Sequence, residues 1–326
     1  MKRTLSLILI IIMVSSLMLG CAFLPDSIRI SEVNFYVDGE LYTSKTVNMG
    51  SSVSAPIAPK KENQIFVGWY SGGIFNYEFD FSNIILGDTN LHAYFVLDAV
   101  TVMNRMTTET IKSVVTVENK CYNAAFGGII ETEAGISQGS GVVVDISGGY
   151  CFVLTNNHVI EKNARYDKQS ITVEDPWGNK YDAYVYQKNA STSPAKDASY
   201  DLALIYFKYN PDETKPQLQR IEFGSDPEDG DYVLSLGSPR AQRNAVTVGS
   251  VIEYRILNAE EGSSIANINF EVIHHNAIAD HGSSGGPLVT PDGKLCGLNF
   301  AGYENTKYGC AIPMSKILEF MYQYVY

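Results

Sequence analysis

Short runs of apolar and β-branched residues, each ended by Gly, Asn, Asp or Pro, recur from Ile111 to the end of the chain. Runs this short, closed by turn-forming residues, are typical of β-strands. About a dozen of them suit two packed antiparallel barrels better than a single sandwich of about seven strands. We therefore predict a mainly β protein. The predicted strands are Val114–Val117, Gly141–Ile146, Cys151–Thr155, Ile171–Val173, Ala183–Gln187, Leu202–Lys208, Tyr232–Leu236, Val246–Ile252, Phe270–Ile273, Leu288–Val289, Leu295–Phe300 and Tyr308–Ile312.

The last segment, Met314 to Tyr324, has a different period. Met314, Ile317, Leu318 and Met321 recur at the spacing of one helix face. This pattern predicts an amphipathic C-terminal helix that lies on a barrel.

The N-terminus has the pattern of an export signal. Lys2 and Arg3 precede a run from Leu5 to Leu19 that is apolar apart from three serines, so residues 1–20 are predicted to be a signal peptide. The run ends in Leu-Met-Leu-Gly-Cys, which resembles a bacterial lipobox with Met where that pattern prefers Leu. The resemblance implies a lipidated Cys21 followed by a spacer at 21–29. The alternative is an uncleaved membrane anchor, because the apolar stretch just reaches the roughly 20 residues that span a bilayer. Both interpretations place the rest of the chain outside the cytoplasm, anchored to the bacterial cell membrane.

The charge of the chain excludes some partners. Its 24 basic and 36 acidic residues give a formal charge of -12, without a Lys/Arg-rich run. Such a surface cannot neutralise a row of phosphates, so nucleic acid is not expected as a partner. It also does not favour a further electrostatic hold on anionic lipid.

Four cysteines follow Cys21, and their spacings match no zinc motif. They are also too few to build a disulfide scaffold of this length. Cys296 and Cys310 lie in apolar segments joined by a turn-rich stretch, so they form either a cross-strand bridge or two buried free thiols. The remaining two are Cys121 and Cys151.

Residues 30–97 form a separate strand-rich block. Strands on both sides of Asp38-Gly39 predict a hairpin. The motifs F-x-V-D-G, F-x-G-W-Y and L-x-A-Y resemble the internalin B-repeat, or Listeria-Bacteroides repeat, of bacterial surface proteins. The resemblance implies a small β-grasp-like module that acts as a spacer or adhesive. Residues 98–110 have no strong period and are predicted to be a linker or short helix.

Three segments carry residues suited to nucleophilic catalysis. In Gly-Ser-Ser-Gly-Gly-Pro-Leu, Ser284 lies on a turn that lets its own N–H and that of Gly282 converge on an oxyanion. His158 ends an apolar strand, and imidazole is the group that can take a serine proton near neutral pH. Asp201 begins another apolar strand, where its carboxylate could orient the imidazole. Each signal by itself is compatible with a purely structural role.

Together, in the order His, Asp, Ser, these segments resemble the chymotrypsin-type serine proteases and among them the HtrA/Deg family. The family motifs T-N-N-H-V, D-L-A-V/I-L and G-N-S-G-G-P-L match the segments of His158, Asp201 and Ser284. The resemblance covers nearly all of residues 111–326. It implies a double six-stranded antiparallel β-barrel, a catalytic triad of His158, Asp201 and Ser284, and an oxyanion hole formed by Gly282 and Ser284.

Two departures from the family pattern precede the nucleophile. Ser283 replaces the usual Asn, and the stretch 277–281 lacks the usual Pro and places Asp280 and His281 beside the turn. Those two residues either perturb catalysis or lie in solvent at the pocket rim. His274, His275 and His281 match no zinc spacing, so neither a metal nor another cofactor is predicted.

The predicted function is that of a membrane-tethered serine endopeptidase that cleaves unfolded or extended protein through an acyl-enzyme. Ile278 in place of an acid predicts preference for an apolar P1 residue. A catalytically inactive adhesin or chaperone with a protease fold is the alternative, and an esterase is a third. No PDZ domain is expected after the helix, and the oligomeric state stays open. The predicted pocket residues are Ile278, Asn299, Phe300, Ala301 and Gly302.

Overall fold

The computed structural model divides the chain into two compact units, one ending at Asp98 and the other beginning at Ala99. Within the described part of the chain, every helix is too short or too polar to cross a membrane. The predicted signal peptide and Cys21 lie outside that part. The described residues are 29–71, 77–125, 130–162, 164–187, 193–212, 214–237, 245–257, 268–277, 282–302 and 308–325.

The first unit is one five-stranded sheet in the order β2-β1-β5-β3-β4. The predicted hairpin is present: Asp38 and Gly39 have φ angles of 50° and 82°, the left-handed values that a two-residue turn of this kind needs. The parallel pairing of β1 with β5 and a buried Phe35–Trp69 contact, with ring centroids 4.9 Å apart, hold the module together. Its strands are β1 (Ile30–Val37), β2 (Glu40–Asn48), β3 (Gln64–Ser71), β4 (Tyr77–Glu78) and β5 (Thr89–Leu97).

The segment predicted as a linker or short helix is a helix, α1 (Ala99–Thr108), followed by a short 3-10 helix at Thr110–Ser113. Val102 and Met106 on α1 are fully buried in the second unit. The Arg105 guanidinium donates to the Pro291 carbonyl at 2.7 Å. These contacts make α1 an ordered part of the second unit.

The second unit contains the two predicted six-stranded antiparallel barrels. In the first, the sheet order is β10-β9-β6-β7-β8-β12, and pairing of β10 with β12 closes it, with β11 attached at the edge. Val117, Val153, Ile205 and Phe207 fill its interior. Its strands are β6 (Val114–Ala125), β7 (Ile130–Ser147), β8 (Tyr150–Thr155), β9 (Lys168–Glu174), β10 (Lys180–Val185), β11 (Lys196–Asp197) and β12 (Leu202–Lys208), and one short helix, α2 (Asn157–Ile160), follows β8.

The second barrel closes in the order β13-β14-β15-β18-β17-β16. Val233, Ile273, Leu288 and Ala311 pack in its interior. The C-terminal helix, α3 (Met314–Tyr324), begins directly after it. The strands are β13 (Tyr232–Gly237), β14 (Ala245–Arg255), β15 (Val272–His275), β16 (Pro287–Val289), β17 (Leu295–Gly302) and β18 (Gly309–Pro313).

The predicted amphipathic helix has the expected bounds, but its buried face differs from the prediction at one residue. Met314, Ile317 and Met321 are buried, but Leu318 is 45% exposed and Phe320 is buried instead. Tyr324 at its end donates to the carboxylate of Asp197, on the edge strand β11, at 2.7 Å. The helix therefore ties the second barrel to the edge of the first.

The four cysteines of the described residues are buried and are not joined in disulfides. Cys310 lies opposite Ala301, whereas Gly297, next to Cys296, lies opposite Pro313. The two cysteines are thus displaced along the strands by several residues, and a bridge between them would need a different register. The sequence left open a cross-strand bridge or two buried thiols, and in the structure Cys296 and Cys310 are buried thiols.

Candidate active site

The turn that carries Ser284 requires glycine for steric reasons. Gly285 has φ +82°, and a Cβ there would lie 2.1 Å from the Ser140 carbonyl oxygen. A Cβ on Gly286 would lie 2.3 Å from the Leu236 carbonyl oxygen. No real side-chain carbon approaches an oxygen so closely, so the Gly-Gly pair lets the turn pack against both strands.

Strand β7 holds this turn in place. The Ser140 N–H donates to the Ser284 carbonyl at 2.7 Å, and the Ser140 hydroxyl donates to the Gly282 carbonyl at 2.8 Å. Gly139 separates the turn from the side chain of Val159, because a Cβ at Gly139 would meet both at 2.7 Å. The segment after His158 and the turn of Ser284 therefore meet across Gly139.

His158 and Asp201 form a close pair. The Asp201 carboxylate accepts from His158 through both oxygens: Oδ1 is 2.9 Å from the backbone nitrogen, and Oδ2 is 2.6 Å from Nδ1. The Asp201 side chain is 12% exposed and that of His158 37%. This geometry places the proton of the neutral imidazole on Nδ1 and leaves Nε2 as an acceptor, the tautomer that a general base needs.

Two asparagines before the histidine stabilise the acid in a strained conformation. Asp201 has φ +50°, which is uncommon for a residue with a side chain. Its carbonyl accepts from the Asn157 N–H at 3.1 Å and from Asn156 Nδ2 at 2.9 Å. The two asparagines of T-N-N-H are thus bound to the segment that carries Asp201, a role that no pattern in the sequence indicates.

The Ser284 hydroxyl donates to the Phe300 carbonyl at 3.2 Å. Among the hydrogen bonds of the described residues, none joins this hydroxyl to His158. Within the same residues, the N–H groups of Gly282 and Ser284 donate to no backbone carbonyl. Within the described residues, the Ser284 hydroxyl is therefore bonded to β17 rather than to the imidazole.

The predicted pocket residues follow this turn on β17. Asn299 and Phe300 are buried, Ala301 is half-buried and Gly302 is exposed. The Asn299 N–H donates to the Gly286 carbonyl at 2.9 Å, and the Gly285 N–H donates to the Asn299 carbonyl at 2.7 Å. Ile278, Asp280 and His281 lie outside the described residues.

Of the histidines considered as metal ligands, His274 lies 3.4 Å from Glu253 Oε1 and packs at a tilt against Tyr308, while His275 is buried in the second barrel. In the described part of the chain, His, Cys, Asp and Glu side chains form no cluster of three that could hold a metal ion.

Both parts of the chain are similar to known proteins. Residues 139–298 match the trypsin-like peptidase domain, and residues 32–94 match the Listeria-Bacteroides repeat domain. The chain is 34% identical to mouse serine protease HTRA4 over 188 residues, which is 58% of this chain and 34% of that protein. It is 32% identical to bovine mitochondrial serine protease HTRA2 over 193 residues, which is 59% of this chain and 37% of that protein. It is 30% identical to human serine protease HTRA3 over 190 residues, which is 58% of this chain and 38% of that protein. The chain thus spans little more than a third of the length of these relatives.

Proposed function

We propose that this chain is an extracytoplasmic serine endopeptidase, because residues 139–298 match the trypsin-like peptidase domain and the chain is similar to HtrA serine proteases. The observation that carries the proposal is the His158–Asp201 pair, in which the carboxylate accepts from Nδ1 at 2.6 Å and from the backbone at 2.9 Å. Such a pair leaves Nε2 ready to accept a proton from a nucleophile.

In the proposed mechanism, Ser284 attacks a peptide carbonyl while His158 takes the hydroxyl proton and Asp201 stabilises the imidazolium. The N–H groups of Gly282 and Ser284 stabilise the oxyanion. His158 then protonates the leaving amine, and water hydrolyses the acyl-enzyme by the same route. Before attack, the Ser284 hydroxyl leaves the Phe300 carbonyl.

The substrate is proposed to be an unfolded or extended protein segment that lies along β17. The primary pocket is proposed to include Ile278, Asn299, Phe300, Ala301 and Gly302. Ile278 in place of an acid predicts an apolar P1 residue. A cleavage profile dominated by Lys or Arg would contradict this assignment.

We further propose that lipidated Cys21 anchors the enzyme to the outer side of the cell membrane, with the Listeria-Bacteroides repeat as a spacer or adhesive. The repeat supports an extracytoplasmic location. Metabolic labelling with a fatty acid should mark the wild-type chain and not Cys21→Ser, and the variant should leave the detergent phase on extraction. Equal labelling of both chains would refute the tether at this residue.

The test of the activity is labelling with a fluorophosphonate, run beside digestion of casein. Wild-type protein should be labelled on the peptide that contains Ser284, and both signals should vanish in Ser284→Ala and His158→Ala. Two exposed residues outside the site, in Ser147→Ala and His92→Ala, serve as matched controls and should behave as wild type.

One observation favours a second candidate, a latent protease that works as a binding protein. The Ser284 hydroxyl is bonded to Phe300 rather than to His158. An unlabelled wild type that is folded would support latency over activity.

A further inference from the structure

Three polar side chains lie in one layer of the otherwise apolar second barrel. Ser235, His275 and Asn299 are 4%, 0% and 1% exposed. Burying such groups without hydrogen bonds is unfavourable, and apolar residues would fill the same space without that penalty. Their partners therefore indicate what the layer does.

Asn299 binds the turn that follows the nucleophile through its backbone and its side chain. Its N–H and its Nδ2 both donate to the Gly286 carbonyl at 2.9 Å, and its carbonyl accepts from the Gly285 N–H at 2.7 Å. Nδ2 also donates to Ser235 Oγ at 3.1 Å. Both amide hydrogens are thus used, one on each acceptor.

This arrangement depends on the orientation of the Asn299 amide. If the amide turned over, Oδ1 would face the Gly286 carbonyl oxygen, and two acceptors would repel each other. Oδ1 in the present orientation is buried and has no hydrogen-bond partner among the described atoms. A donor beside Oδ1 would stabilise this orientation over the flipped one.

His275 is the group beside that amide. Its ring interacts with the Asn299 side chain and the Ala277 backbone, while burial lowers its pKa to about 4 and keeps it neutral at pH 7. A neutral imidazole has one N–H to donate. Within the described residues, neither ring nitrogen has a partner at hydrogen-bonding distance and angle. The neutral imidazole therefore has an N–H to offer to Asn299 Oδ1, which also has no hydrogen-bond partner among the described residues.

We propose that His275 is a positioning residue for the nucleophile turn: its imidazole donates to Asn299 Oδ1 and so fixes the amide orientation that holds the Gly286 carbonyl. The inference rests on the proposed protease function, because the turn it positions is that of Ser284. His275 acts through Asn299 and is not assigned any contact with substrate.

The test compares two substitutions of His275 with a neighbouring control. His275→Leu fills the space without a donor, His275→Gln restores an amide donor, and Ile273→Val alters the same strand and the same barrel interior. We expect His275→Leu to lower kcat up to about 100-fold with little change in KM, since small displacements of a reacting group have effects of this size. His275→Gln should recover most of the loss, and Ile273→Val should retain the wild-type kcat at a temperature where each protein is folded.

A second measurement reports on the order of the turn independently of catalysis. Amide hydrogen exchange at Gly285 and Gly286 should accelerate in His275→Leu and not in Ile273→Val. Unchanged exchange and unchanged kcat in His275→Leu would overturn the positioning role. A folded wild type that resists the fluorophosphonate would instead overturn the protease assignment, and the exchange result would still decide whether His275 orders the turn.

Discussion

Replacing Asp201 with Asn tests how the acid orients the general base. The backbone N–H of His158 can only donate, and it now donates to Oδ1 at 2.9 Å. In the variant, the amide oxygen must therefore take the place of Oδ1. The amide nitrogen then occupies the place of Oδ2, 2.6 Å from Nδ1 of His158. A donor at that position requires Nδ1 to accept, which moves the imidazole proton to Nε2.

The size of the effect follows from this change of tautomer. With a proton on Nε2, the imidazole cannot accept the Ser284 proton, and the negative charge that stabilises the imidazolium is absent. Changes of this kind in a Ser-His-Asp triad lower kcat about 10⁴-fold, which corresponds to about 5 kcal/mol of barrier. Stability should change little, because Asn tolerates the φ of +50° at this position and keeps the bond from the His158 backbone.

The assay is the rate of peptide hydrolysis and of fluorophosphonate labelling, with thermal unfolding measured on the same samples. Asp212→Asn is the control, because Asp212 is an exposed carboxylate that accepts a hydrogen bond from the backbone N–H of Thr214. A folded Asp201→Asn protein with kcat within tenfold of wild type would refute the tautomer argument. A large fall in the unfolding temperature would show that the loss of activity has a structural cause.

Further predictions concern the turn, the buried histidine and the thiols. Gly285→Ala should abolish labelling by fluorophosphonate, because its Cβ would lie 2.1 Å from the Ser140 carbonyl; normal labelling would contradict the packing of the turn. Burial lowers the pKa of His275 from 6.5 to about 4, so its contribution to stability is complete above pH 6.5 and is lost as the pH falls to about 4. Urea unfolding should register a loss of about 3 kcal/mol over that window in wild type but not in His275→Leu. The four buried cysteines should resist a thiol reagent in the folded protein and react after unfolding, whereas a native reaction would place them at the surface.

Local patterns in the sequence predicted most of the fold. Leu202–Lys208 and Met314–Tyr324 have the bounds expected, because alternation and helical spacing are local properties of a chain. The long hairpin of β6 and β7 was predicted only in part. Polar residues such as Glu118 and Gln138 face each other across it, so its sequence lacks the apolar run that marks a strand, and pairing alone extends it.

The pairing of His158 with Asp201 was also predicted, although only from a resemblance between motifs. The individual residues were compatible with turns and caps, and no spacing in the sequence showed that they meet. The roles of Asn156, Asn157 and Asn299 were not predicted. Each depends on a hydrogen bond to a residue distant in the chain, and an asparagine in a loop or strand gives no sign of its partner.

The sequence by itself determined the class of structure and the chemistry available. It has short strands ended by turns and a helix at the end. It also has a histidine at the end of one apolar run, an aspartate at the start of another and a serine on a glycine-containing turn. Only the tertiary structure decided which atoms meet. Barrel closure brings Asp201 to Nδ1 of His158, turns the Ser284 hydroxyl to Phe300, and buries His275 beside Asn299. The physical reason is that strand formation depends on neighbouring residues, whereas hydrogen-bond partners and burial depend on contacts that form only when distant strands pack together.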